Sequence, residues 1–215
     1  MSIINKMVKL YPTKERLFGL TQKAVGTNKW IFRRLVANIS VGGSKDENAV
    51  KAAIQVCNIY DTPKKLMGAD VDIVTGMLNA NKIRFAGRKA GYLVATAKIL
   101  NDKHGGKVPS DRTKLEALPG VGRHVASVVL ALGFGKNEFA VDLHVSRIAA
   151  RMGLVNEKDS VKVVETKIIE FAKGENLAAI SRAFVDFGKD ICGYTANCGS
   201  CKISKGCAGV RKSAA

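Results

Sequence analysis

Apolar residues recur at helical spacing along most of this 215-residue chain. Ile31, Phe32, Leu35, Val36 and Ile39 fall on one face of a 3.6-residue repeat. They predict a helix that stops where Ser40-Val41-Gly42-Gly43 supplies a flexible turn. Ala49, Ala52, Ala53, Val56 and Cys57 form a second stripe, and Asp61-Thr62-Pro63 interrupts the chain after it. Val71 to Leu78 predicts a short helix, and Tyr92, Leu93, Ala95, Ala97, Ile99 and Leu100 another, closed by Gly105-Gly106. A short helix over Arg112 to Ala117 runs into Leu118-Pro119-Gly120-Val121-Gly122, and a longer apolar helix follows. Val145, Ile148, Ala149 and Met152 mark a helix opened by Asp142. No strictly alternating run argues for a strand, and no repeat of solenoid period occurs. The expected fold class is all-α.

Charge narrows the partner. Lys and Arg number 35 against 18 Asp and Glu, a formal net charge of +17. Such an excess attracts polyanions and releases their counterions on binding, which makes nucleic acid the natural candidate. A soluble basic surface, a ribosome-like role or a membrane-surface role is also compatible with charge alone. The 47% hydrophobic content indicates a packed protein and not a basic tail. No apolar run approaches the ~18–20 residues a membrane span needs. The N-terminus, MSIINKMVKLYPTKERL, lacks an apolar core followed by a small-residue cleavage site. No membrane association or export is therefore expected, and the location expected is intracellular, in cytoplasm or nucleoid, or in the nucleus of a eukaryote.

Four cysteines lie close together near the C-terminus: Cys192, Cys198, Cys201 and Cys207, spaced C-x5-C-x2-C-x5-C. Four soft thiolates in one loop-rich stretch form the ligand set of a metal centre. Zinc and a [4Fe–4S] cluster both accept four cysteines, and spacing does not separate them. Disulfides are the weaker reading without an export signal. Cys57, in its apolar stripe, reads as a small buried hydrophobe.

The segment Leu118 to Gly122 reads as a tight helix–helix hairpin. Proline disfavours the helical conformation of the residue before it, and Gly120 and Gly122 supply permissive dihedrals. The amides opening the next helix then point outward at the positive end of its dipole, where a DNA phosphate fits. Such a contact grips backbone without reading sequence. An ordinary αα-hairpin has the same glycines.

LPGVGRHVASVVL, then AVDLHVSRIAAR, then the four-cysteine end resemble the helix-hairpin-helix DNA glycosylases of the endonuclease III type. The likeness runs from about Trp30 to Cys207. It implies a six-helix domain at 25–136 and a discontinuous iron–sulfur helical domain from 1–24 and 137–215, with DNA across the groove between them. It implies a [4Fe–4S] cluster on the four cysteines, with zinc the alternative. The expected partner is double-stranded DNA carrying a lesion or mismatch, bound by a monomer. Leu118, Gly120, Val121, Gly122 and Arg123 would bind DNA, together with Arg147 and Lys189; Arg151, four residues after Arg147, is a further phosphate-contact candidate. The family's V-D-[TL]-H-V motif places its catalytic carboxylate at Asp142, beside the developing sugar cation. An N-cap is the bland reading of the same residue. His144 reads as structural or phosphate-contacting.

Three departures from the family pattern matter. Bifunctional members carry a lysine where this chain has His124; that amine attacks C1′ and cuts the strand through a Schiff base. Imidazole cannot form the iminium, and Arg123 stays protonated and faces elsewhere. Hydrolysis is therefore expected, with Asp142 activating water and His124 lining the pocket or positioning that water. The alternatives are a bifunctional endonuclease III acting on oxidised pyrimidines, or a non-catalytic DNA-binding protein. Second, the loop Ser40 to Lys45 has Gly42 and Gly43 where relatives often place a gap-filling glutamine, so the wedge lies elsewhere or is a side chain such as Asn38. Third, the interval Gly193 to Asn197 is one residue short of the usual six and has no basic residue, for which Lys189, Lys202 and Lys205 would compensate.

Overall fold

The computed structural model describes residues 3–12, 26–172 and 176–213. They form helices and loops, with one isolated antiparallel bridge between Cys192 and Ala196. The chain divides into two compact units, Arg16–Lys136 and the pair Met1–Glu15 with Asn137–Ala215. The N-terminal boundary expected at 24/25 lies outside the described residues. Among the described residues, no helix is long and apolar enough to cross a membrane.

In Arg16–Lys136 the described helices are α2 (Asn28–Val41), α3 (Asp46–Ile59), α4 (Pro63–Leu66), α5 (Val71–Ala80), α6 (Ala86–His104), α7 (Arg112–Glu116) and α8 (Arg123–Phe134). α2 is the centre of this unit, packed by α3, α6 and α8. Trp30, Ile31, Phe32, Leu35, Val36, Ala37 and Ile39 are buried, and so are Arg34 and Ser40. A helix apolar on nearly every side is one surrounded by others. The approach of α8 is close because Gly133 has no side chain: a Cβ there would stand 3.2 Å from Ile31 Cγ2.

The other unit holds α1 (Ile3–Leu10), α9 (Leu143–Arg151), α10 (Val161–Ala172), α11 (Leu177–Asp190) and α12 (Ala208–Ser213). α11 packs on both α1 and α9. Its core joins Ile4 and Met7 to Phe139, Val145, Ile148, Ile168, Phe184 and Phe187. Gly188 permits the contact between α11 and α9, since a Cβ there would meet His144 Nδ1 at 2.7 Å and Ile148 Cδ1 at 3.0 Å.

Side-chain caps set most helix starts. Thr27, Thr62, Asp70, Asp111, Asp142 and Asn176 each accept a backbone N–H in the following turn. α3 lacks a side-chain cap but has Asp46 and Glu47 in its first turn, which complement the dipole. Among the described α-helix N-caps, only those of α6 and α8 have neither a capping side chain nor an acid in the first turn. Both leave a positive helix end uncompensated.

Candidate functional site

The hairpin between α7 and α8 is built as its sequence requires, with a division of labour between its glycines. Gly120 has φ +77°, in the left-handed region. A Cβ on it would lie 2.9 Å from Tyr92 Cδ2 and 3.1 Å from Ile39 Cγ2, so α6 and α2 seat the turn directly. Thr96 Oγ1 donates to Pro119 O at 2.9 Å and ties the turn to α6 again. Gly122, the N-cap of α8, has φ −92°, and a Cβ there would meet nothing within 4 Å. The amides of Gly120 and Gly122 have no partner among the described residues. They remain available to an anion at the bare end of α8.

Two of the residues expected to contact DNA behave differently. Leu118 and Val121 are buried in the core, and their amides donate to Leu115 O and Leu118 O, each at 3.0 Å. The apolar letters of the motif build the turn, and the glycines present the surface. Arg123 and His124 are half-buried in the first turn of α8.

The glycine roles give a two-part prediction. Gly120→Val should destabilise the protein by ~1–3 kcal/mol, through left-handed strain and overpacking against Tyr92. Gly122→Val should leave stability within ~0.5 kcal/mol yet weaken binding to every duplex alike, because its side chain would stand in the path of a phosphate. Denaturant midpoints and duplex titrations across salt check both halves; an unstable Gly122→Val protein, or one with unchanged binding, would count against the anion site.

A second surface lies at the start of α6. Phe85 is its N-cap residue, in the left-handed conformation (φ 58°) and 56% exposed. The guanidinium carbons of Arg84 and Arg88 stand 5.3 and 4.9 Å from its ring centroid, as cation–π partners. The loop after α2 runs alongside: a Cβ on Gly43 would lie 3.8 Å from Arg84 Nη1 and 4.0 Å from Phe85 Cε2. This loop is fastened from within. Buried Lys89 donates to Ser40 O and Gly42 O, each at 2.7 Å, and Arg84 N donates to Ser44 Oγ at 2.9 Å. Burial pushes the Lys89 ammonium below its ordinary range, and Arg88 and Arg84 push it the same way. Asn38, the wedge candidate in sequence, is turned back on its own helix and donates to Arg34 O at 2.8 Å.

Asp142 caps α9. Its Oδ1 accepts from Val145 N at 2.8 Å, while Oδ2 has no partner among the described residues and the residue is half-buried. The preceding segment is pinned: Phe139 is fully buried edge-on to Phe184, Ser181 Oγ donates to Ala140 O at 2.9 Å, and Asn137 Oδ1 accepts from Leu177 N at 3.0 Å. A rigid stalk therefore presents a carboxylate with one committed oxygen and one open.

Further along α9, the arginines read as phosphate contacts are occupied with the cysteine loop. Arg147 donates to Cys192 O at 3.4 Å from Nε and 3.2 Å from Nη2. Nη2 also lies 3.0 Å from His144 Nδ1. Guanidinium can only donate, so in this contact Nδ1 is the acceptor. Arg151 donates to Gly193 O at 2.6 Å and to Tyr194 O at 2.7 Å. Backbone carbonyls some forty residues away outcompete solvent for these cations. Lys189, at the exposed end of α11, stays at the surface.

The four C-terminal cysteines line one cavity of about 290 Å³, together with Arg151 and Ile203. Successive turns wrap it: Cys201 N donates to Cys198 O, Ser204 N to Cys201 O and Cys207 N to Ser204 O. Burial raises the Cys201 thiol, and the charges of Cys207, Cys198 and Cys192 raise it further. The cysteines therefore share one electrostatic environment. Among the described residues, however, no group of three or more His, Cys, Asp or Glu is arranged to hold a single metal ion. Cys57 is fully buried, its thiol pushed up to about 12 by desolvation, as a core residue requires.

A family model described as HhH-GPD superfamily base excision DNA repair protein matches residues 42–174, more than half of the chain. The chain belongs to this superfamily. Endonuclease III of Thermotoga maritima is 33% identical over 161 residues, covering 75% of this chain and 74% of that protein. Endonuclease III of Escherichia coli is 32% identical over 177 residues, 82% of each chain. Among solved structures, a trapped endonuclease III–DNA covalent intermediate matches with TM-score 0.85 and 27% identity over 99% of this chain and 96% of that one. A thermostable thymine-DNA glycosylase shares the fold, with TM-score 0.82 and 20% identity over 97% of this chain and 95% of that one. The fold class is thus the all-helical HhH-GPD glycosylase fold, and the protein falls among DNA base-excision glycosylases.

Proposed function

We propose that this protein is a monofunctional DNA glycosylase that hydrolyses the N-glycosidic bond of a damaged or mismatched base in duplex DNA. The observation that carries this reading is the open Oδ2 of Asp142, held at a fixed position while Oδ1 is tied to Val145 N. As the C1′–N bond breaks, the base leaves with its electron pair and C1′ gains cationic character. The Asp142 carboxylate stabilises that charge and takes a proton from the water whose oxygen bonds to C1′. The base-free hairpin of Gly120 and Gly122 grips phosphate. His124, in place of the lyase lysine, leaves no amine at that position to form an iminium.

Chemistry on a base requires it to leave the stack, and something must hold the gap open. Phe85 supports that role, with its exposed ring between two arginines and a backbone held out in the left-handed region. Apolar wedges inserted between base steps act in this way. Phe85→Ala should therefore lower excision from fully paired duplex about tenfold or more, and far less for a target base lacking a pairing partner. Equal losses on both substrates would remove the wedge assignment.

The four cysteines fit a [4Fe–4S] cluster. They line one cavity together, and zinc on the same four sulfurs is the alternative. Such a cluster when bound supplies a rigid crosslink and an electron-exchange centre. Endonuclease III activity with strand cleavage is the second reading, favoured by the names of the sequence relatives. A panel of duplexes with oxidised pyrimidines, uracil, mismatched thymine or oxidised guanine opposite adenine separates the readings. Base release with strand breaks only after hot alkali is expected; breaks without alkali would establish the second, and no release from any duplex would count against both.

A further inference from the structure

Arg151 is the last residue of α9, and it touches both ends of the cysteine set. Its side chain holds the first ligand's loop: Nη1 lies 2.6 Å from Gly193 O and 3.5 Å from Cys192 Sγ, and Nη2 lies 2.7 Å from Tyr194 O. Its main chain lies beside the last ligand: the Cys207 thiol donates to Arg151 O at 3.5 Å, a proton given up on ligating metal, and the packing of Gly209 against the same carbonyl keeps the two segments together. The segment after Cys207 fits this backbone without clearance. A Cβ on Gly209 would lie 2.9 Å from Arg151 O, and one on Gly153 would lie 2.9 Å from Ala208 Cβ. The interval Gly193-Tyr194-Thr195-Ala196-Asn197 has no charged residue of its own, so its anchoring comes from α9.

We propose that Arg151 is a positioning residue for the metal centre, a clamp that sets the first and fourth cysteines at the proper separation and donates an N–H to the Cys192 sulfur. This inference rests on the cluster reading above. The clamp acts in two ways. The planar fork fixes two consecutive carbonyls, so the Cys192 loop is ordered before metal binds and costs less to order during loading. The guanidinium charge beside a cluster sulfur favours the more negative, reduced state and raises the reduction potential.

These effects separate by substitution. Arg151→Gln loses both the fork and the charge, and Arg151→Lys keeps the charge but not the planar fork. Gly209→Ala presses on the Arg151 carbonyl and leaves the guanidinium in place. Full-length protein, purified anaerobically, would be analysed for iron and sulfide, then followed for iron release to a chelator and for midpoint potential by voltammetry. Outer-shell partners of metal ligands contribute about 10–100-fold to metal affinity. Iron release should accordingly be at least ~10-fold faster in Arg151→Gln. Arg151→Lys and Gly209→Ala should release iron at intermediate rates. The potential should fall in Arg151→Gln and stay near the native value in the other two. Arg182→Gln, which breaks only the surface pair with Asp186, should match the native protein. Release and potential unchanged in Arg151→Gln would overturn the clamp. Should that variant not fold, native release rates in both Arg151→Lys and Gly209→Ala would do the same. Stoichiometric zinc without iron in the unsubstituted protein would instead overturn the cluster reading itself.

Discussion

Asp142→Asn should bind duplex as tightly as the unsubstituted protein and lose base excision by roughly 10²-fold or more. The substitution is informative because Asp142 has two jobs, one on each oxygen. Its Oδ1 caps α9 through Val145 N. Asparagine caps helices as well as aspartate does, so that oxygen's contact survives. Only the negative charge and the proton acceptor are lost. Asp142→Ala should lose excision too, but with an added cost of ~1 kcal/mol in stability from the missing cap. Single-turnover excision and denaturant midpoints measured on both variants separate chemistry from structure. A fully active Asp142→Asn protein would reduce this residue to its capping role and remove the reason for calling the chain a glycosylase by mechanism.

Much of the helical architecture was legible because its signals are local. Asp142 announces a helix start by chemistry that acts within one turn, whereas Pro63, which reads as an interruption, in fact opens the short α4. The stripe of Ala49 to Cys57 became the buried face of α3 without change. α2 was harder: its five apolar residues read as one face, yet Arg34 and Ser40 are buried as well. Periodicity reports which positions are apolar, and a central helix also buries positions that are not. Leu177, Ile180, Phe184 and Phe187 keep the helical spacing that α11 buries.

The candidate site divides along the same line. Gly120 was recognisable as a turn residue, but its lack of space beside Tyr92 depends on α6, nearly thirty residues earlier. Arg147 and Arg151 were correctly placed on one face of one helix. Charge alone points such a face toward phosphate, because carbonyl acceptors at Cys192, Gly193 and Tyr194 leave no trace in a count of charged residues. Phe85 gave no signal, since a left-handed non-glycine residue is a property of its surroundings. The four cysteines were plain from spacing, which does not separate a cluster from one zinc ion; the cavity they share is visible only in the fold.

His124→Lys should convert a protein that leaves strands intact into one that borohydride traps on its substrate. In the unsubstituted chain the residue after Arg123 is an imidazole, in the first turn of α8 just past Gly120 and Gly122. A lysine there places a primary amine at the position from which bifunctional relatives attack C1′. Attack forms the C1′–N bond as the base leaves with its electron pair; the C1′–O4′ bond then breaks, O4′ takes up a proton, and the ring-opened sugar is held as the iminium. Hydride reduction then fixes the covalent adduct, and without reductant the adduct β-eliminates and cuts the strand. For the native protein, trapping should be at background and breaks should require alkali. For His124→Lys, trapped adduct should rise at least ~10-fold above that background, while Asp142→Asn in the same background suppresses it. Arg123→Lys, one position away on the helix, should not trap, because consecutive helical residues point about 100° apart. Efficient trapping by the native protein would show that another lysine reaches C1′, and the proposal of a purely hydrolytic enzyme would give way to the bifunctional one.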